Sequence, residues 1–306
     1  MNTYRTISWP GAKYRAIDTL LRWCPGQPFG AMCEPFWGTG VLTLALSKQV
    51  TGPIFAAERN PHLRNWWQWL FTAPDYLIRA IETLREKYRG AGSDRDVFNA
   101  LRDGYNSDKH DTITAAARLW VLIFASTNNL ARFNQQGSYN QTWGKGRTVP
   151  DPRTVITPET LDAVARVGHY VRLCCDYRAA LDDFLDYLDD GGTGVCYLDP
   201  PYILEAGMYD ANQWGANDVD QLMGYIEGLE ERGAWWLYTD YLRKGGREHP
   251  YSLALQRFRA VPIGSTRDAR PNGAATDKQE MLMVGSGAWE TAPARAWVQA
   301  TLEVDG

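Results

Sequence analysis

Histidine is scarce in this chain. His62, His110, His169 and His249 lie scattered, with neither H-x-x-x-H nor H-x-E spacing. Zinc hydrolysis therefore lacks its usual ligand pattern. The five cysteines are an odd number and two of them, Cys174 and Cys175, are adjacent, so neither a disulfide framework nor a C-x-x-C metal site is suggested. Neither G-x-S-x-G nor G-x-x-x-x-G-K-[ST] occurs, which removes support for a serine nucleophile and for P-loop nucleotide hydrolysis. No apolar run approaches the ~18 residues of a membrane span. The first residues lead to Pro10 and Gly11 without an apolar signal core. These absences predict a soluble, metal-free cytoplasmic protein of a reducing compartment.

Acidic residues are missing from one stretch altogether. The whole chain has a formal charge of −4, which argues against non-specific coating of nucleic acid, yet residues 112–150 contain no Asp or Glu. The same window holds Arg118, Arg132, Lys145 and Arg147, together with Asn128, Asn129, Asn134, Asn140, Gln135, Gln136 and Gln141. Arg and Lys neutralise phosphates, and Asn and Gln can pair bidentately with adenine. Tyr139 and Trp143 could offer stacking or wedge surfaces. The bland alternative is a polar hairpin with a solvated basic face.

Aromatics, by contrast, are plentiful, with 13 tryptophans and 16 tyrosines. One of them closes the most informative stretch, Asp199-Pro200-Pro201-Tyr202, directly after the short apolar run Val195 to Leu198. Two consecutive prolines fix φ and donate no N–H, so the carbonyls here are left to accept from something else. An acid, a proline carbonyl and an aromatic face suit an exocyclic amine on a flat base. Hydrogen bonds from its two N–H groups to Asp199 and the Pro200 carbonyl would favour a tetrahedral nitrogen whose lone pair meets an electrophile. A common Asp-Pro turn at a strand end is the structural alternative.

Earlier in the chain, Glu34-Pro35-Phe36-Trp37-Gly38-Thr39-Gly40 spans a strand-to-helix turn, and Glu58 ends the next strand twenty residues past Gly38. Glycines let backbone approach a ligand, and an acid at that place can take both hydroxyls of a ribose. Trp9, Gly11 and Lys13 precede this turn. There Lys13 could pair with a ligand carboxylate and Trp9 could cover an apolar part of the ligand. Cys174-Cys175-Asp176-Tyr177 reads first as a plain strand end, and more weakly as a side wall for a bound ring.

The periodicity predicts helices at 14–23, 41–49, 62–89, 111–125, 178–188 and 218–232. It predicts strands at 31–36, 53–58, 170–175, 195–198 and 234–238, with two more near 257–263 and 281–284. The fold class is therefore α/β, with a parallel Rossmann-like sheet. Residues 1–61 and 150–306 form the catalytic part of this arrangement. Residues 62–149 are a mainly helical insertion ending in a hairpin near 134–148. Residues 203–217 read as a loop.

Taken in order, these segments resemble the Dam-like, D12-class (α-group) adenine-N6 DNA methyltransferases. The likeness rests on Trp9-Pro10-Gly11-Ala12-Lys13, Glu34 to Gly40, Glu58, Asn128 to Asn134 with Gly137-Ser138-Tyr139-Asn140, and Asp199 to Tyr202. Arg267 and Glu280-Met281-Leu282 add a less specific likeness to the family's C-terminal strands. The resemblance implies S-adenosylmethionine as methyl donor, a flipped-out adenine of double-stranded DNA as acceptor, and Asp199, Pro200, Pro201 and Tyr202 as the catalytic loop. It implies cofactor contacts from Trp9, Gly11, Lys13, Pro35, Phe36, Gly38, Gly40, Glu58, Asp176 and Asp199. The DNA-contacting candidates are Asn129, Arg132, Asn134, Tyr139, Asn140, Lys145 and Arg147. The family's Gly-Gly-Lys is Gly11-Ala12-Lys13 here, and its ribose-binding Asp is Glu58. The expected protein is a bacterial or phage modification enzyme, a monomer or weak dimer on DNA. The rival readings are transfer to another planar amine, such as cytosine N4 or RNA, and a catalytically silent DNA-binding homologue.

Overall fold

The structure, a computed structural model, describes residues 4–205, 214–263 and 278–288. Arg267, and residues 206–213 of the expected 203–217 loop, lie outside them. In chain order the elements run α1 (Ile17–Arg22), β1 (Ala31–Glu34), α2 (Val41–Ala45), β2 (Ile54–Ala57), α3 (Pro61–Thr72), α4 (Pro74–Lys87), α5 (Arg95–Ser107) and α6 (Ile113–Ala125). They continue with α7 (Pro152–Val155), α8 (Pro158–Gly168), β3 (Val171–Cys174), α9 (Tyr177–Asp189), β4 (Gly194–Leu198), α10 (Ala216–Glu231), β5 (Trp235–Lys244), β6 (Arg247–Glu248), α11 (Ser252–Leu255), β7 (Arg259–Pro262) and β8 (Lys278–Val284). These elements form two compact units. The first takes the chain up to Tyr14, Trp37–Lys48 and Ala57–Tyr177, and the second takes Arg15–Phe36, Gln49–Ala56 and the chain from Arg178 onward.

The second unit is built on a sheet in the order β2-β1-β4-β5-β8-β7. Its first four strands are parallel, while β8 runs antiparallel to both β5 and β7. Parallel strands are covered on both faces and need near-continuous apolar sequence. Val195, Cys196, Tyr197 and Leu198 of β4 meet this need, and all four are buried. Helix α9 lays Phe184 and Tyr187 against Phe55 of β2, at 5.9 and 5.8 Å between ring centroids. At the far end, the Trp235 indole donates to the Trp23 carbonyl at 2.7 Å, fixing the chain just after α1.

The first unit is centred on α6, whose residues from Leu119 to Ala125 are all buried. A helix apolar all round has to lie inside a bundle. Helices α3, α4 and α5 pack against it. Side-chain caps start three of these helices: Asn60 for α3, Asp94 for α5 and Thr112 for α6. Within this unit β3 ends at Cys174, whose carbonyl accepts the Glu58 N–H at 3.0 Å.

Several elements differ from the sequence reading, and α7, α8, β6 and α11 fall where it expects no element at all. The single helix expected over 62–89 is two, because Pro74 lacks the N–H that would continue the first and instead opens α4. Helix α5 was not anticipated; its apolar residues are few among polar ones, but they fall on one face, and the Asp94 cap and a buried stripe of Phe98, Leu101 and Tyr105 make it. Strand β5 runs on to Lys244 instead of stopping at 238.

Candidate active site

Each unit carries part of the residue set singled out from sequence. In the first unit the Gly38–Gly40 turn and Glu58 come together. Both glycines have positive φ, +48° and +55°, which L side chains rarely adopt. A Cβ on Gly40 would lie 2.6 Å from the Trp37 ring, so packing as well as backbone conformation requires glycine there. The Glu58 carboxylate accepts the Gly38 N–H at 3.0 Å on Oε2 and the Asn60 N–H at 2.7 Å on Oε1. Burial pushes this carboxyl up to about 7, against the two backbone N–H bonds and Arg64, which lower it.

Asp176 follows Cys174, whose carbonyl is paired to Glu58, so the two acids share one edge. Lys13 is buried and its ammonium donates to the Gly11 carbonyl at 2.9 Å. The half-buried Trp9 leans on Phe133, at 6.3 Å between centroids. Pro35 and Phe36 belong to the second unit. There Pro35 is buried and Phe36 meets Trp214 edge-on at 5.5 Å.

After α6, the acid-free window forms two linked hairpin turns on the first unit. Phe133 bridges Tyr139, and the Asn140 N–H donates to the Arg132 carbonyl at 2.9 Å. Two of the expected DNA contacts serve the turn itself. Asn134 Oδ1 accepts the N–H groups of Gln136 at 3.0 Å and Ser138 at 2.9 Å, closing an Asx-type turn. Tyr139 is 1% exposed, its hydroxyl donating to the Leu130 carbonyl, so it offers no stacking face to DNA. Arg132, Asn140, Lys145 and Arg147 are exposed, and Asn129 is half-buried in a left-handed conformation with φ +53°.

The hairpin rests on a buried aromatic base. His62 stacks on Phe133 at 4.1 Å and 7°. Its Nε2 faces the Gly137 carbonyl at 3.1 Å. A carbonyl only accepts, so Nε2 carries the hydrogen and Nδ1 accepts from the Tyr105 hydroxyl at 2.7 Å. Burial, followed by His110, lowers His62 to about 4, so this imidazole is neutral. Asn106 of α5 pairs with both backbone groups of Tyr139, at 2.8 and 3.1 Å. Asn106→Ala removes both bonds and is expected to cost about 1–3 kcal/mol, read as a lower urea midpoint. An unchanged midpoint would show that the hairpin does not depend on Asn106.

In the second unit Asp199 follows the end of β4, and the corner is built by residues distant in sequence. Thr239 Oγ1 donates to Asp199 Oδ1 at 2.7 Å, and the Tyr202 hydroxyl reaches the same oxygen at 3.1 Å. That hydroxyl also meets Oε1 of Glu280 on β8. Burial first, then Asp199 and Glu280, hold the Tyr202 phenol well above its usual range, so it keeps its proton. The sequence reading gives Tyr202 a stacking face and a place in the catalytic loop, but not this hydroxyl contact. Its ring is 8% exposed, with Tyr241 set edge-on at 4.9 Å. Pro200 is buried and Pro201 half-buried.

Beside this corner lies a network with no counterpart in the sequence reading. Asp240 accepts from the Tyr238 hydroxyl at 2.8 Å and the Tyr241 N–H at 2.6 Å, and faces His249 Nε2 at 3.5 Å. His249 Nδ1 accepts the Tyr251 N–H, so Nε2 carries the hydrogen and points it at Asp240. Burial raises the Asp240 carboxyl, although His249 opposes the shift. Thr239, Tyr241 and Glu280 were also missed as site residues. Among the described residues no group of three or more His, Cys, Asp or Glu could hold a metal ion, and no helix is long and apolar enough to cross a membrane.

Comparison with known proteins bears on this arrangement. The chain is 26% identical over 239 residues to the modification methylase LlaI of Lactococcus lactis subsp. lactis, across 74% of this chain and 36% of that protein. It is 25% identical over 272 residues to the DNA N-6-adenine-methyltransferase of Escherichia phage P1, across 87% of this chain and 33% of that protein. With the Type II methyltransferase M.FokI of Planomicrobium okeanokoites it shares 26% identity over 191 residues, across 60% of this chain and 27% of that protein. The chain thus spans about a third of the length of the curated relatives it matches. Residues 9–237, from Trp9 through the Gly38 turn, Glu58 and the Asp199 corner into β5, match one family description throughout, and the chain belongs to the D12 class N6 adenine-specific DNA methyltransferase family.

Proposed function

We propose that this chain is a DNA adenine-N6 methyltransferase that takes its methyl group from S-adenosylmethionine and acts on an adenine flipped out of duplex DNA. The observation that carries the reading is the Asp199 corner. Its carboxylate is fixed by two hydroxyls, from Thr239 and Tyr202, and followed by two prolines. An aromatic amine is a poor nucleophile because its lone pair is conjugated with the ring. Asp199 accepts one N6–H and the Pro200 carbonyl accepts the other, which localises the lone pair on nitrogen. Asp199 then holds the proton that N6 gives up. Positioning and electrostatics supply the rate, with no covalent enzyme intermediate.

The residues of the first unit fit the proposed donor. Glu58 suits paired ribose hydroxyls, Asp176 shares its edge, and Trp9 offers an apolar ring. When bound, the donor supplies an electrophilic methyl group on a sulfonium. Flipping costs roughly a few kcal/mol of unstacking. Phosphate contacts from Arg132, Lys145 and Arg147 offset that cost, with residues 62–149 as the target-recognition part and residues 1–61 and 150–306 as the catalytic part.

Incubation of duplex DNA with isotope-labelled donor, followed by mass spectrometry of the nucleosides, is expected to place the label in N6-methyladenine. Label found only in cytosine, or only when RNA is supplied, would overturn the reading.

A further inference from the structure

Strand β5 outruns its neighbour. It pairs with β4 only from Trp235 to Tyr238, and Thr239 to Lys244 continue past the carboxyl edge of β4, where Asp199 sits. At ~3.3 Å per residue these six residues reach about 20 Å. They pair on their other side with β8 and turn back into β6. Gly245 and Gly246 make the two-residue turn with φ +58° and +75°, the left-handed pair a tight hairpin requires.

The tip of this hairpin is basic. Arg243, Lys244 and Arg247 surround the glycines, with Glu248 as the one acid from Arg243 to Glu248. Many acids of the second unit lie on α9 (Asp182, Asp183, Asp186 and Asp189) and α10 (Asp218, Asp220, Glu227, Glu230 and Glu231), while Asp199, Asp240 and Glu280 lie at the corner and the hairpin's base. Arg243 and Arg247 are exposed and Lys244 is half-buried.

The hairpin is also joined to the catalytic corner. Tyr241 meets Tyr202 edge-on, and Lys244 Nζ lies 4.8 Å from the Tyr241 ring centroid. From Tyr241 to Lys244 is three residues on β5 but only two on β8, Glu280 to Lys278, so one extra residue bulges there. A bulge re-aims side chains, and alternation alone would have put Lys244 on the opposite face from Tyr241. Arg247 donates to the carbonyl of Leu204, two residues past Tyr202, at 2.5 Å. The buried Asp240–His249–Tyr238 network braces the hairpin's base, where the His249 N–H also donates to the Leu242 carbonyl at 2.9 Å.

We propose that the β5–β6 hairpin is a second DNA-binding element. Arg243, Lys244 and Arg247 grip the phosphodiesters that flank the flipped nucleotide, on the strand that carries it. The inference rests on Asp199–Tyr202 holding the target base. A base seated there brings its own sugar–phosphate backbone to the edge of that corner, and the hairpin is the basic element built against it. Non-directional phosphate contacts would position the strand without reading its sequence.

The test is Arg243→Gln/Lys244→Gln/Arg247→Gln in the full chain, with fluorescence anisotropy on duplex DNA over a salt series and no methyl donor present. Each lost phosphate contact lowers the slope of log K against log salt by about 0.9. The triple variant is expected to lose about 2–3 units of slope. Its affinity should fall about 10- to 100-fold at low salt, equally for different sequences, with circular dichroism unchanged. Lys244→Gln alone should lose about one unit. Arg22→Gln/Lys48→Gln, which removes two exposed cations elsewhere, should keep the wild-type slope. A triple variant with wild-type slope and affinity, a loss no larger than the control's, or a wild-type chain without duplex affinity would each overturn the proposal. Transfer to a base other than adenine, with the slope loss intact, would sink the adenine reading and leave the grip standing.

Discussion

Asp199→Ala is expected to lower methyl transfer at least ~10³-fold while duplex affinity stays within about threefold of wild type. Under the proposed mechanism the variant removes the acceptor that draws an N–H out of the ring plane and takes its proton. It also takes one acceptor from each of two donors. Thr239 Oγ1 and the Tyr202 hydroxyl both converge on Asp199 Oδ1, at 2.7 and 3.1 Å. Thr239 retains an alternative acceptor in the Leu198 carbonyl at 3.4 Å, and the Tyr202 hydroxyl retains Glu280. The corner therefore keeps its shape as it loses its chemistry, which separates a catalytic from a folding effect. DNA affinity survives because the exposed cations, Arg132, Lys145, Arg147 and the β5–β6 tip, are untouched. Single-turnover transfer with labelled donor and anisotropy without donor measure the two quantities. Transfer within tenfold of wild type would remove Asp199 from the chemistry.

The sequence singles out Asp199 as a candidate but not what holds it, and the reason is distance along the chain. Thr239 lies 40 residues from Asp199, and Glu280 lies 78 from Tyr202. Pairing of β5 with β8 brings Glu280 to the corner, and periodicity says nothing about which strands will pair. Local signals did better. The buried strands at 31–34, 54–57 and 195–198, the Gly38–Gly40 turn and the acid after β2 all follow from apolar runs bounded by turn residues. Asp240 hid the length of β5. An acid in a buried strand reads as its end unless its partner is known, and His249 stands nine residues on, across a hairpin. Composition misled in the acid-free window. Asn134 and Tyr139 carry side chains suited to reading bases, yet one closes the turn and the other packs beneath it.

Glu58→Gln is expected to weaken donor binding about 10- to 100-fold, and to remove a pH dependence that the native chain should show. Each Glu58 oxygen already accepts one backbone N–H, from Gly38 or Asn60. A carboxylate oxygen has further acceptor capacity, and two ribose hydroxyls would use it. A protonated carboxyl gives up part of that capacity, so binding favours the ionised form and expels a proton. With the folded carboxyl raised to about 7, affinity should tighten as pH rises through 7 and level off above it. Titration calorimetry near pH 6 in two buffers of different ionisation enthalpy should show proton release, which vanishes near pH 8. Stability runs the other way. Between the unfolded value of 4.5 and about 7, the folded chain holds a proton that the unfolded chain has lost. Raising pH through that window therefore removes stability, and Glu58→Gln should flatten the fall in urea midpoint. The two slopes have opposite sign and one cause, a carboxylate whose desolvation is only partly offset until hydroxyl donors arrive. Native donor affinity that is flat from about pH 6 to 8 and equal to that of the Gln variant would remove Glu58 from the donor site and leave it as the clasp of the Gly38 turn.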